Sequence, residues 1–264
     1  MTLSRDTVTA ILAPLLVAVL LIGGWEVAVT VWRINPFILP PPSAIWRALG
    51  TDFDLLASSL GLTLAVTVSA FALAAVGGAL LAILFVSARW VELALLPYAI
   101  VLQVTPVVAI APLLIIWVKD PFTAMLVLAW IVAFFPVVSN ATLGLRSTDH
   151  NLLNLFQLYG ASRWQQLWLL RIPNALPYYL AGLKISGGLS LIGAVVAEFV
   201  AGSGGVASGL AYRILEAGYR LQIPRMFAAL FLISSAGIVI YLLLSLISHL
   251  MLRRWHESAV AREN

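Results

Sequence analysis

Cysteine is absent from this 264-residue chain, charged residues make up only 10% of it, and histidine occurs three times. Without cysteine there are no disulfides, no thiol nucleophile and no thiolate metal site. Scarce charge excludes an ordinary soluble domain, in which roughly a quarter of residues are charged. Here 62% of residues are apolar, so the chain cannot cover its own surface with polar groups, and most of that surface must face lipid or other helices. His150, His249 and His256 fall at the edges of apolar runs with no H-E-x-x-H spacing, which argues against an intramembrane metalloenzyme or a base-activated nucleophile. No G-x-x-x-x-G-K-[ST] run occurs, so the chain has no nucleotide-binding P-loop of its own. The net charge of +4 comes without a dense basic patch or an aromatic platform; it gives no nucleic-acid footprint and suits anionic lipid headgroups.

What is present is apolar length. Six stretches reach the roughly 20 residues needed to cross a hydrocarbon layer of about 30 Å: residues 11–31, 60–86, 93–118, 122–143, 178–201 and 226–252. The expectation is an all-α membrane protein with six transmembrane helices. The first stretch exceeds a signal-peptide core and ends in no clear small-x-small cleavage site, so it is read as a retained span. An N-terminus in the cytoplasm places Arg5, Arg89, Arg146, Arg163, Arg171, Arg253, Arg254 and Arg262 inside. Arg33, Arg47, Lys119, Arg213, Arg220 and Arg225 are then outside, a thin positive-inside bias.

The chain divides into residues 1–57, an N-terminal helix and a proline-rich outer loop, and residues 58–264, a core transmembrane domain. In the outer loop Pro36, Pro40, Pro41 and Pro42 stiffen the backbone before a short helix for which Ser43 is the expected N-cap. A glycine-rich turn is expected at 202–205, followed by a short interfacial helix at 210–219. Pro97, Pro106, Pro112 and Pro136 fall within spans and are expected to kink or break them. Gly182, Ser186 and Ser190 lie four apart in the fifth span, a narrow face for a close helix contact. Lys184 can snorkel from that span toward the cytoplasm. Glu198, near its outer end, needs a neighbouring helix, a vestibule or backbone amides of the next loop to satisfy it. Together with Gly187 and Gly188, these two charged residues are candidates for a gate or a substrate path.

The polar interruption at about 144–177 is the most informative segment. Gly160 divides it into two short helices, with Asp149 and Ser162 as their N-caps. Trp164, Leu167 and Leu170 recur at helical spacing, which would lay the second helix against a surface. Pro173 and Pro177 are expected to stop that helix before the fifth span.

The run Gly160-Ala161-Ser162-Arg163-Trp164-Gln165, followed by Ile172-Pro173-Asn174-Ala175-Leu176-Pro177, resembles the EAA-motif loop of binding-protein-dependent ABC importer permeases. Gly160 and Pro173 stand thirteen residues apart, as in that pattern. The motif's triad falls on Asn154-Leu155-Phe156 and departs from it. Further segments, including 39–43, 182–185, 193–199 and 226–230, resemble the nitrate/sulfonate/taurine branch, in particular permeases for thiamine-precursor pyrimidines or riboflavin.

The resemblance implies a type I ABC importer permease (MetI-like) fold in a bacterial inner membrane. It assigns ATPase coupling to Gly160, Ala161, Ser162, Arg163, Trp164 and Pro173. The implied partners are a cytoplasmic ABC ATPase dimer, a periplasmic or lipid-anchored solute-binding protein, and a second permease copy packed through the small-residue face of the fifth span. No cofactor is expected in the chain itself, ATP residing on the partner. A secondary transporter is disfavoured because no inverted repeat or midplane carboxylate is visible; a non-transporting scaffold is the remaining alternative.

Overall fold

A computed structural model describes residues 5–202 and 208–253, with side chains from residue 12 onward. The described chain is helical throughout. Its elements are α1 (Arg5–Val31), α2 (Pro42–Thr51), α3 (Phe53–Ser87), α4 (Arg89–Val104), α5 (Val107–Trp117) and α6 (Pro121–Arg146). They continue with α7 (His150–Leu158), α8 (Arg163–Gln166), a π-turn (Leu167–Arg171), α9 (Ile172–Ala201), α10 (Leu210–Tyr219) and α11 (Ile223–Leu252).

Five of these helical stretches are long and apolar enough to cross a membrane, and α4 with α5 makes a sixth as a bent pair. The third span is broken, as its prolines lead us to expect: it turns by 102° between Val104 and Val107. Thr105 and Pro106 are both extended there, because Pro106 disfavours helical geometry in the residue before it. Pro97, Pro112 and Pro136 instead lie inside continuous helices.

The core is a three-helix stack of α3, α6 and α9. At one level Val66, Ala70, Ala111, Met125, Leu128, Ala129, Ala194 and Ala197 pack together; nearer the 147–171 loop Ala82, Ala141, Leu145, Leu167 and Ala175 do so. Alanine and glycine dominate, so the backbones approach closely. A methyl group on Gly193 would sit 2.8 Å from Ala129 Cα, and one on Gly182 would sit 2.9 Å from Asn140 Cβ. Ser186 Oγ donates across the same seam to the Ala133 carbonyl at 2.8 Å. The small-residue face of the fifth span is thus a true close contact, but the helix seated on it is α6 of the same chain. A second copy does not have that face available, which corrects the expected dimer packing.

At the opposite end of the bundle, called here the cap end, Leu56, Leu210, Ala228 and Ala229 form a third cluster. The proline-rich loop docks onto it differently from expectation. Pro42, with its fixed φ and no N–H, is the first residue of α2, and Pro41 precedes it as the cap. Ser43 lies inside the helix, where its N–H and hydroxyl both donate to the Glu26 carboxylate, at 3.0 and 2.9 Å. That bond joins α2 to α1, whose span is otherwise almost wholly exposed.

Candidate functional site

The polar segment between α6 and α9 is built from two capped helices and a glycine hinge. Asp149 accepts the Asn151 N–H at 2.7 Å and caps α7. Ser162 and Gln165 form a reciprocal capping box for α8, with bonds of 3.2 and 2.7 Å. Both expected caps are present. Between them Gly160 adopts φ 70°, the left-handed region that glycine enters without steric penalty, and no atom lies near enough to obstruct a side chain.

The expected stop at Pro173 and Pro177 is not observed. The helix beginning at Arg163 runs on to Ala201 as one stretch of 39 residues. A proline at 173 removes a backbone donor and crowds the carbonyl four residues earlier. The π-turn accommodates it, with the Ile172 N–H reaching back to the Leu167 carbonyl. At 1.5 Å per residue such a stretch is about 58 Å long, far beyond the roughly 30 Å of hydrocarbon. Its first turns therefore project from the membrane while remaining one body with the span.

The expected face of Trp164, Leu167 and Leu170 is split, Leu167 packing into the chain's own core while Trp164 is left open. Leu167 is buried, whereas Trp164 is 68% exposed. No residue of α7 is buried. Leu152, Leu155, Leu158 and Tyr159 all stand open to the surroundings, and they were not singled out from the sequence. Their apolar, i, i+3 recurrence within a short amphipathic helix is the signal that could have found them. Beside α8, a pocket of about 440 Å³ is lined by Ser87, Gln157, Arg163, Trp164, Gln166 and Arg171, among others. The segment is anchored to the core by Asn174 Nδ2 donating to Ser147 Oγ at 3.3 Å. A two-arginine clasp on Glu92, from Arg89 at 3.1 Å and Arg146 at 2.5 Å, holds α4 to the end of α6.

At the cap end Glu198 is completely buried. Its Oε2 accepts the Ala211 N–H at 2.9 Å, in the first turn of α10. Gly209 lies directly against the carboxylate, where any side chain would overlap it. The neighbouring Leu210 N–H donates to Thr63 Oγ1 of α3 at 2.9 Å. Side chains of α3 and α9 therefore satisfy two of the orphan donors at the start of α10. Glu198 thus meets a neighbouring helix, through a first-turn amide of α10, while its Oε1 is buried without a partner; residues 203–205 of the expected turn lie outside the described residues.

Arg213 of α10 extends the anchoring, donating to Ser59 Oγ at 3.1 Å and to Glu216 at 2.7 Å. Hydrogen bonding by Arg213, reinforced by the charges of Arg213, Arg220 and Arg225, holds the Glu216 carboxyl below its ordinary range. Arg225 grips Asp52 through two bonds of 2.6 and 2.7 Å, fixing the start of α11 to the α2–α3 junction.

The other candidates separate. Gly187 is buried against Ile240 and Leu244 of α11. Gly188 lies on the open face of α9, together with Ala181, Ile185 and Ile192, and Lys184 is half-buried beside them. Along the one helix from Arg163 to Ala201 the coupling candidates thus lie at the start, Lys184, Gly187 and Gly188 in the middle and Glu198 near the far end, so they do not form a single pocket.

A multi-pass helical membrane protein, with a polar segment continuous with a core span, has the architecture of a transport permease. Residues 74–257 match the family model for the binding-protein-dependent transport system inner membrane component. The chain belongs to that family and is the inner-membrane permease subunit of an ABC importer. It is 32% identical to a probable ABC transporter permease protein of Haemophilus influenzae, over 90% of this chain and 96% of the relative. It is 33% identical to the riboflavin transport system permease protein of Chloroflexus aurantiacus, over 90% and 88%. A formylaminopyrimidine transport permease protein of Halalkalibacterium halodurans is 31% identical, over 86% and 90%. The fold also matches a crystal structure of an amino acid ABC transporter with histidines, with a TM-score of 0.62 and 19% identity, covering 78% of this chain and 96% of that one.

Proposed function

We propose that this permease imports a small organic solute, handed over by an extracytoplasmic binding protein, through alternating access driven by a cytoplasmic ATPase dimer that grips residues 150–171. The observation that carries the proposal is the exposed apolar surface of α7, set on a glycine hinge beside a helix that continues without interruption into the core. A rigid displacement of that segment moves the whole of α9. The open strip of α9 around Gly188, with Lys184 at its edge, is assigned to the translocation path and to a second copy of the chain. Glu198 is assigned to the gate at the cap end, where it ties α9 to α10. ATP binding and hydrolysis belong to the partner, in keeping with a sequence that has no P-loop run. Relatives named for riboflavin and formylaminopyrimidine support a nitrogen heterocycle as the solute; a sulfonate or nitrate-type anion is the second choice, supported by more distant relatives named for taurine and nitrate.

Reconstitution in proteoliposomes with the ATPase and the binding protein tests this directly. Uptake of labelled formylaminopyrimidine or riboflavin that requires ATP on the ATPase side is the expected result. Uptake driven by an ion gradient without ATP would contradict it and indicate a secondary transporter.

A further inference from the structure

The pocket beside α8 carries a charge pattern that the described residues do not neutralise. Among the described side chains at the end bearing the 147–171 loop there are five arginines, Arg89, Arg146, Arg163, Arg171 and Arg253, against two carboxylates, Glu92 and Asp149. Both carboxylates are already engaged. Glu92 is clasped by Arg89 and Arg146, and Asp149 caps α7. Arg163 and Arg171, which line the pocket two turns apart on one continuous helix, have no ion-pair partner among the described residues. The rest of the polar lining comes from Ser87, Gln157, Trp164 and Gln166, which present hydrogen-bonding groups and no negative charge. Asn154, at the position of the motif glutamate, adds none either.

The geometry points to a carboxylate side chain of the partner ATPase as the occupant of this pocket, held between Arg163 and Arg171. The docking contact then has a cationic permease side and an anionic ATPase side. This inference rests on the proposed docking of the ATPase at residues 150–171 and adds the chemistry by which the partner is recognised. Arginine suits the role, since its planar fork binds carboxylates in two-point fashion and stays charged. A pocket of about 440 Å³ accommodates an Asp or Glu side chain with water to spare.

The chain's composition makes a covalent test clean. It has two lysines, Lys119 and Lys184, and no cysteine. Neither lysine lies at the pocket, Lys119 preceding α6 at the other end and Lys184 lying within the α9 span. In Arg163→Lys and Arg171→Lys the charge is kept, and the new amine is open to a carbodiimide, which joins it to a touching carboxylate as an amide with loss of water. The importer complex is purified intact from native membranes, treated, and read by peptide mass spectrometry. A parallel Leu155→Cys variant, joined to the ATPase by a thiol cross-linker, reports docking independently of charge.

The expected result is an amide between position 163 or 171 and an Asp or Glu of the ATPase, appearing in only one or both variants. Arg163→Glu with Arg171→Glu is expected to lower ATPase retention at least tenfold, and 1 M salt to do the same to the unaltered complex, since screening shortens to about 3 Å there. Leu155→Cys cross-linking without any amide would overturn the anionic occupant while leaving docking intact. Amides found only with lipid or with the chain's own carboxylates would also overturn it. Loss of both signals would remove the docking proposal itself.

Discussion

The two ends of α9 are built on opposite plans. At the cap end the described charged side chains bond largely within the chain: one oxygen of Glu198 takes the Ala211 amide while the other is buried without a partner, Thr63 takes Leu210, Arg213 is shared by Ser59 and Glu216, and Arg225 holds Asp52. At the loop end the caps are equally well made, yet apolar side chains of α7 stand open and two arginines line a pocket with no counter-charge among the described residues. Buried polar groups left unmatched are costly, and so are exposed apolar ones in a finished surface. The cap end ties its described polar groups mostly to one another, and the loop end is the part we propose a second protein completes. Between them the close-packed seam of α6 and α9 makes one rigid body, so a push at the open end reaches the other.

The largest effect should come from breaking the seam that joins the ends. Gly193→Leu places a side chain into the backbone of Ala129. Overpacking of a tight core costs about 1–3 kcal/mol or more, and no monodisperse protein is expected on gel filtration in detergent. Gly188→Leu, on the open face, is expected to fold normally and serves as the contrast. Next, Glu198→Leu strands the Ala211 amide in the buried cap end, a loss of about 1–3 kcal/mol. Thermal unfolding should register it as a lowered Tm, with Glu198→Gln recovering most of the loss because the amide oxygen still accepts. Ser162→Ala, at the open end, removes one half of the capping box for about 1 kcal/mol. Its expected signature is faster hydrogen exchange confined to α8, with the cap end unchanged.

The smallest effect concerns pH. The folded-state pKa of Glu216 is depressed below 4.5, so its ion pairs contribute fully above that value and their contribution fades as the pH falls through the lower folded value. The Tm of the wild type should decline across that acidic window, and Glu216→Gln should flatten the decline. An unchanged slope would mean that the Arg213 and Arg220 contacts do not anchor α10.

Much of this contrast was legible in the residues, and what was not has definite causes. Apolar runs located every span, because hydrocarbon thickness imposes a length. The prolines foretold the break at Pro106 but did not single it out, since a proline inside a run reads alike whether the helix passes through it, as at Pro97, Pro112 and Pro136, or ends. Pro173 and Pro177 appeared to end a helix for the converse reason: composition does not reveal that a π-turn can absorb the missing donor. The spacing of Gly182, Ser186 and Ser190 marked a close contact but not its owner, because periodicity defines a face and says nothing of what covers it. Ser43 resembled a cap, and the Pro42 ring took the first helical position instead. The hinge at Gly160 and both caps followed from local chemistry and were found. The open face of α7 lay where the motif triad departs from its pattern, so the resemblance drew attention past it.

The central claim is that residues 150–171 transmit the state of a separate ATPase through the Gly160 hinge into α9. Gly160→Val tests it most directly, because φ 70° is strained for a β-branched residue by about 1–2 kcal/mol while the space around it is open. ATP hydrolysis and solute uptake would be measured together in proteoliposomes holding the assembled importer. The expected result is an assembled complex that hydrolyses ATP without a matching rise in uptake; uptake per ATP equal to that of the wild type would contradict the hinge as the path of coupling.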